Sequence, residues 1–291
     1  MNNIKLIAIL IFVASCSSES SQIKFESLLD SEWSKIVNDN PVYASSMGDL
    51  SQNTKWSDTS VEKIYSDHQD QLAVLNQLDE LDISDFTEEN KVNYLLFKQQ
   101  YENSIESHAY KTFLIPFSHR GGIQLQHETT SIVPLRNKQH YLDWIERISK
   151  IDVLVDAAIE KAKIGIAEEI VPPRFLMQKV YKQIELQAFV EPKDSPFYRA
   201  FLEMDRSLDG DEVQEIQQKA LDVIKLKVIP AYLKLHRFFK DKYLPACRTS
   251  IGIKEIKNGK EYYEFLARKF TTTNLTPKEI HEIGLAEVAR I

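Results

Sequence analysis

Glycine and cysteine are scarce in this sequence of 291 residues. It contains 8 glycines and 2 cysteines, whereas about 7% of the residues in an average protein are glycine. Few glycines leave little material for tight hairpins or phosphate-binding loops, and no P-loop, dinucleotide-binding glycine motif or Gly-x-Ser-x-Gly elbow is present. The composition therefore favours helices and offers none of these nucleotide-binding or hydrolase motifs.

The sequence also lacks an excess of positive charge. Its formal net charge is −7, and the lysines and arginines are scattered among the acidic residues. Proteins that bind nucleic acids usually present a basic face to the phosphate backbone. We therefore expect no nucleic-acid partner.

The most apolar continuous run lies at the N-terminus and is typical of a targeting signal. Leu6–Val13 follows Lys5 and is too short to span a bilayer by itself. The tetrapeptide at 13–16, Val-Ala-Ser-Cys, resembles a bacterial lipobox. We expect residues 1–15 to be a lipoprotein signal peptide and Cys16 to be lipidated after cleavage.

The serine-rich residues 16–22 are then predicted to form a flexible tether between the lipid and a folded domain. Lipidation would anchor the protein to the membrane of the bacterial envelope, at the periplasmic face of the outer membrane. The alternative is a simple secretory signal followed by an unmodified Cys16. If Cys16 is acylated, Cys247 has no disulfide partner, and we interpret it as a packed small residue rather than a nucleophile.

Apolar residues recur every three or four positions through most of the remaining chain, which predicts amphipathic helices. His68, on one such face, is expected to be a hydrogen-bonded core residue. The second and third helices should pack as an antiparallel pair, and Pro230 should kink or interrupt the longest one. The predicted stretches are 25–37, 60–78, 92–105, 137–149, 151–166, 175–188 and 209–243.

Between residues 111 and 135 the helical period disappears. Prolines, Gly121-Gly122 and β-favouring residues predict an irregular segment or a short hairpin there. The fold class predicted for residues 23–291 is one all-α domain with this single exception.

The last stretch contains two predicted helices, and the start of the second is well specified. Thr276 is predicted to cap it, Pro277 suits the first helical position, and Glu279 completes a capping box. An apolar face follows at Ile280, Ile283, Val288 and Ile291 without a stop signal. This pattern predicts that the chain is the front part of something longer, with a missing carboxy-terminal half packed on the last helix.

Two His-Glu pairs invite a metallopeptidase interpretation but do not complete it. A His-Glu-x-x-His helix places two imidazoles one turn apart as zinc ligands. After His127-Glu128, the position of the second histidine is occupied by Ser131. After His281-Glu282, it is occupied by Leu285. His119 and His140 lie near the first pair without a ligand spacing that zinc sites use. We therefore assign no catalytic, cofactor-binding or metal-ligating residue.

Five segments carry a resemblance to a known family: 40–44 with Gly48, 89–94, 141–148, 243–248 and 259–290. They resemble the bacterial domain of unknown function 885 family, many of whose members are envelope lipoproteins. Its members are similar to helical, zincin-like proteins and are presumed metal-dependent peptidases or related hydrolases. Their His-Glu and Pro-Gly-His segments lie downstream of the region matched here, so the resemblance transfers no metal ligand to this chain.

The resemblance implies a front half that lines a peptide-binding cleft and is inactive alone, with zinc expected only in a full-length relative. The alternative is a stand-alone lipoprotein that binds peptides or serves as a scaffold without cutting them.

Overall fold

The computed structural model describes residues 20–291. The predicted signal peptide and Cys16 lie outside the described residues, so cleavage and lipidation stay predictions. The first helix begins at Ser21, and the Ser20 hydroxyl oxygen accepts a hydrogen bond from the backbone N–H of Ile23 at 3.3 Å. Ser21 and Gln22, which the sequence analysis placed in the tether, therefore belong to this helix. Among the residues described, no helix is both long and apolar enough to cross a bilayer.

The fold is all-α, as predicted, and the helix positions follow the apolar periodicity. Side-chain caps define several starts: Ser60, Thr87 and Asn137 each accept a hydrogen bond from the backbone N–H three residues on. The helices are α1 (Ser21–Asp39), α2 (Pro41–Ser46), α3 (Val61–Asp79), α4 (Glu88–Ala109), α5 (Lys138–Ile148), α6 (Ile151–Ala167), α7 (Arg174–Ala188), α8 (Gly210–Val223), α9 (Ile229–Phe238), α10 (Leu244–Ala246), α11 (Gly259–Thr271) and α12 (Pro277–Arg290).

A small hydrophobic core holds α1, α3 and α4 together. The prediction that α3 and α4 pack antiparallel is confirmed. The Tyr94 hydroxyl donates to the Leu78 carbonyl at 3.0 Å, and the later Ser104 hydroxyl of α4 donates to Oε1 of the earlier Gln71 of α3, also at 3.0 Å. Tyr94 and Tyr101 of α4 point inward, whereas Leu96 on the same helix is 60% exposed. The buried members of this core are Phe25, Leu28, Val74, Leu78, Phe86, Tyr94 and Tyr101.

A larger core lies among α5 to α9 and contains Trp144, Ile184 and Tyr232. The sequence predicts that Pro230 kinks or interrupts the longest helix; the interruption does not occur, and the kink stays a prediction. The backbone stays helical from Gly210 to Ala246, with π-helical turns at Ile224–Val228 and Phe239–Tyr243. In the first turn, the Ile229 N–H bonds to the Ile224 carbonyl five residues back. This wider turn accommodates the missing N–H and the ring of the proline without ending the helix.

The segment between α4 and α5 is irregular, as predicted, but its β character is limited to a single bridge between Ser118 and Gly121. The rest contains 3-10 helices at Thr112–Leu114 and Ile123–Ser131. Gly122 has φ of 128°, a conformation that side-chain-bearing residues rarely adopt. Glutamines stabilise the turn, since Gln124 Nε2 donates to the Ser118 carbonyl at 2.7 Å.

The last two helices differ in how they contact the rest of the fold. Arg268 of α11 pairs with Glu106 of α4 at 2.5 Å, and α11 buries Phe265. The capping box predicted at Thr276 and Glu279 is confirmed. None of the residues of α12 is buried, and Val288 is 76% exposed.

Candidate functional site

The histidines considered for a metal site do not converge. His127 Nδ1 lies 2.9 Å from Gln187 Nε2, the His140 ring accepts a hydrogen bond from the Arg136 N–H at 3.3 Å, and His281 is exposed on α12. Within residues 20–291, no three His, Cys, Asp or Glu side chains are close enough together to hold a metal ion. Through Gln187, His127 links the 3-10 helix at Ile123–Ser131 to α7.

We expect His127 to make stability depend on pH. Burial lowers the pKa of its imidazole, so the unfolded chain binds a proton more readily than the folded one. Stability is then fully present above the unfolded pKa of about 6.5 and falls as the pH drops below it. Thermal unfolding between pH 7.5 and 5 should show this loss, and it should be smaller in His127→Gln. The exposed His281→Gln variant serves as the control and should behave like the unchanged protein.

Cys247 is a packed residue in the structure. It is 2% exposed, and its thiol donates to the Tyr243 carbonyl at 3.2 Å. Burial raises its pKa to about 12. A thiol that stays protonated at neutral pH is a poor nucleophile, in agreement with the sequence interpretation.

A concave surface runs along α3 and α4 and consists of two hollows. We call them the amide hollow, of about 680 Å³, and the acidic hollow, of about 350 Å³. Both volumes lie in the range of roughly 300–1,000 Å³ typical of small-ligand sites. The hollows share four lining residues: Asp67, Gln71, Gln100 and Ser104.

Side chains spaced one helical turn apart build the amide hollow. Leu96, Gln100, Ser104 and His108 follow each other at intervals of four on α4, so they project from one face. A second stripe of the same spacing contains Gln99, Asn103 and Ser107, while α3 contributes Ile64, and the turn after α4 contributes Phe113. Amides and hydroxyls thus alternate with apolar walls. Such a surface can both donate and accept hydrogen bonds.

The acidic hollow lies between α1, α3 and the chain that precedes α3. Four carboxylates, Glu32, Asp39, Asp58 and Asp67, face two lysines there, which leaves two negative charges. Lys63 Nζ lies 2.7 Å from Asp39 Oδ2 and also contacts Asp67. Burial by itself would lower the pKa of Lys63, but the hydrogen bonds to these carboxylates outweigh it and raise that pKa.

Two histidines meet at the edge of the amide hollow. The rings of His68 and His108 stack at 3.9 Å between centroids, with 7° between their planes. Burial, followed by the charges of His68 and Lys111, lowers the pKa of His108. His68 is only half-buried, and its Nδ1 lacks a hydrogen-bond partner among the described residues. The expectation of a hydrogen-bonded core histidine therefore needs a correction, because His68 stacks at a cleft instead.

Residues 41–291 match the profile of one protein family, described as bacterial protein of unknown function (DUF885). The chain belongs to the DUF885 family. No curated protein matches it. A similar fold is seen in a crystal structure named "putative lipoprotein" from Colwellia psychrerythraea, with a TM-score of 0.81 and 21% identity. The alignment covers 94% of this chain and 50% of that one, so this DUF885 chain spans about half the length of its structural neighbour.

The cleft of this DUF885 protein was not predicted from its sequence. Its lining residues come from separate helices whose packing no local pattern shows. One signal was available: α4 places amides and hydroxyls at intervals of four beside an inward aromatic stripe. A polar stripe of that kind is usually read as a solvated face.

Proposed function

We propose that this DUF885 protein is an envelope-anchored lipoprotein that binds peptides in the cleft along α3 and α4. In this proposal it forms the substrate-binding front half of a metal-dependent, zincin-like hydrolase. The lipid on Cys16 would place it at the periplasmic face of the outer membrane. The chain would bind a peptide without cutting it.

The chemistry of the cleft lining is the observation that carries the proposal. An extended peptide presents N–H donors and carbonyl acceptors along its length, and side-chain amides such as Gln71, Gln99 and Gln100 can pair with both. Apolar residues between them, Ile64 and Phe113 among them, can receive side chains of the peptide. The proposal adds the acidic hollow as a site for cationic groups of the same peptide.

The structural neighbour is about twice as long as the region that aligns with this chain, which supports placing the chemistry in a further half. The exposed apolar side chains of α12, which include Ile283, Leu285 and Val288, are the surface on which we expect that half to pack. The further half would supply the metal and the activated water.

The first test is binding without turnover. The probe is the tetrapeptide Lys-Ala-Ala-Leu, followed by calorimetry for binding and by chromatography for cleavage, with and without added Zn²⁺. We expect binding, no cleavage and no stoichiometric zinc. Gln100→Trp should weaken binding about tenfold by filling the junction of the hollows, while Gln69→Trp, on the exposed face of α3, should not. Cleavage by this chain would refute the division of labour, and absence of binding would refute the peptide site.

A stand-alone binding or scaffolding lipoprotein is the second candidate. Residues 20–291 contain two hydrophobic cores of their own, which favours a chain that folds without a further half. The reading frame beyond codon 291 separates the candidates. A continuing frame that encodes a His-Glu segment supports the hydrolase, and a stop codon supports the stand-alone protein.

A further inference from the structure

We infer that the amide hollow binds the free carboxyl end of a peptide, with Lys269 as the counter-charge. This inference rests on the proposed peptide-binding function and specifies which end of the peptide the cleft recognises. It follows from the charges that line the hollow, taken one at a time.

Only three ionisable side chains line the amide hollow: Asp67, His108 and Lys269. The charge of Asp67 is already compensated, since it contacts Lys63 and lies 3.9 Å from Lys35. His108 adds no positive charge at neutral pH because burial lowers its pKa.

Lys269 is the remaining charge. It is exposed on α11, and its Nζ lies 5.8 Å from the centre of the Phe265 ring. No carboxylate among residues 20–291 forms an ion pair with it, although the adjacent Arg268 pairs with Glu106 and so fixes α11 against α4. The hollow therefore presents one positive charge at a defined place.

One lysine among neutral amides fits a ligand with a single negative charge. Phosphate groups carry more charge and are commonly bound by arginines or by clustered backbone N–H groups, which this hollow lacks among its lining residues. A peptide carboxylate carries one charge, and the peptide groups next to it can pair with Gln99 and Asn103. Phe113, an apolar lining residue, can receive the last side chain of the peptide.

The neighbouring hollow gives the bound peptide a direction. Because the carboxylates that line the acidic hollow outnumber its lysines by two, it repels a carboxylate and attracts an ammonium group. A peptide with its carboxyl end at Lys269 can therefore extend past the shared residues Gln100 and Ser104 toward that hollow. A cationic residue upstream of the carboxyl end should strengthen binding.

The test compares two forms of Lys-Ala-Ala-Leu, one with a free carboxyl end and one with a carboxyl-terminal amide. Calorimetry at low ionic strength should give about three- to fivefold tighter binding of the free acid, the size expected for an ion pair with an exposed lysine. Lys269→Gln should bind both forms equally, at the affinity of the amide. Lys260→Gln, a change at another exposed residue of α11, should keep the preference for the acid.

Equal binding of both forms by the unchanged protein would overturn the inference and leave the peptide site intact. A preference that survives in Lys269→Gln would also overturn it. If neither form binds, the proposed function fails together with the inference. Because Lys269 is exposed, its replacement leaves the folded core intact, and circular dichroism checks this directly.

Discussion

Replacing Arg147 by alanine is expected to lower the free energy of unfolding by about 3–5 kcal/mol, as large truncations of buried side chains do. Arg147 lies on α5 with no exposed surface. Its Nη2 donates to the Ser45 hydroxyl at 2.9 Å and to the Gln52 carbonyl at 3.4 Å. The guanidinium also stacks over the Trp56 ring at 5.7 Å. The side chain thus fixes the chain between α2 and α3 to the large core.

The charge of Arg147 makes its position unusual. Burial lowers its pKa to about 10, against the opposing charge of Asp143, so the group stays protonated at neutral pH. No carboxylate forms an ion pair with it among residues 20–291, and its Nε and Nη1 lack hydrogen-bond partners there. An uncompensated buried cation is costly. The alanine variant removes that cost but leaves a cavity and unpaired acceptors, and these losses dominate.

Arg147→Met separates charge from volume. Methionine fills most of the space and carries no charge to desolvate. We therefore expect the free energy of unfolding of this variant to lie within about 1.5 kcal/mol of that of the unchanged protein. Urea denaturation of both variants measures the difference, and Arg237→Ala, an exposed arginine on α9, is the control. A loss below about 1 kcal/mol in Arg147→Ala would contradict the anchoring role.

The buried state of Arg147 was not predictable from the sequence, whereas the helix that carries it was. Apolar spacing at Tyr141, Trp144 and Ile148 specifies the inward face of α5, and Asn137 specifies its start. Arg147 follows Ile145 and Glu146 in a stretch that reads as amphipathic. Its burial depends on Ser45 and Gln52, which lie about a hundred positions earlier in the chain. Local patterns predict which residues form a helix, but not what covers its flank.

The cleft was likewise beyond local patterns. Apolar periodicity made α3 and α4 predictable, and the short connection between them made their antiparallel packing predictable. The hollows depend on which residues of each helix remain at the rim after packing. Tyr94 and Tyr101 turn inward in α4, and Leu96 stays at the surface. Leucine and tyrosine are both apolar enough to occupy either face, so periodicity alone could not decide between them.

Gly259→Ala is expected to destabilise the protein by about 1–3 kcal/mol, the usual cost of forcing extra volume into packed structure. Gly259 begins α11, directly after Asn258, whose φ is 55°. A Cβ atom at this position would collide with the Ile253 carbonyl oxygen and lie 2.9 Å from backbone carbons of Lys254. The obstacle is backbone, so no side chain can rotate away from it.

The preceding turn cannot move aside easily either. The Gly259 N–H donates to the Ile256 carbonyl at 2.9 Å, and the Ile256 N–H donates to the Ile253 carbonyl at 3.1 Å. Shifting the turn to admit a methyl group would break these hydrogen bonds or move α11 off Tyr110, whose ring lies 5.4 Å from that of Phe265. Because α11 carries Lys269, the variant should also weaken binding of the free-acid peptide.

Gly284→Ala provides the matched change at a site without obstacles. Gly284 lies within α12, and a Cβ there meets no atom within 4 Å. Alanine favours helix over glycine by about 0.8–1.0 kcal/mol, so α12 should gain helicity while the midpoint of global unfolding stays unchanged, since this helix buries no residue. Circular dichroism and amide hydrogen exchange along α12 measure the gain. If both glycine variants lowered the unfolding midpoint equally, the loss at Gly259 could not come from the Ile253 contact.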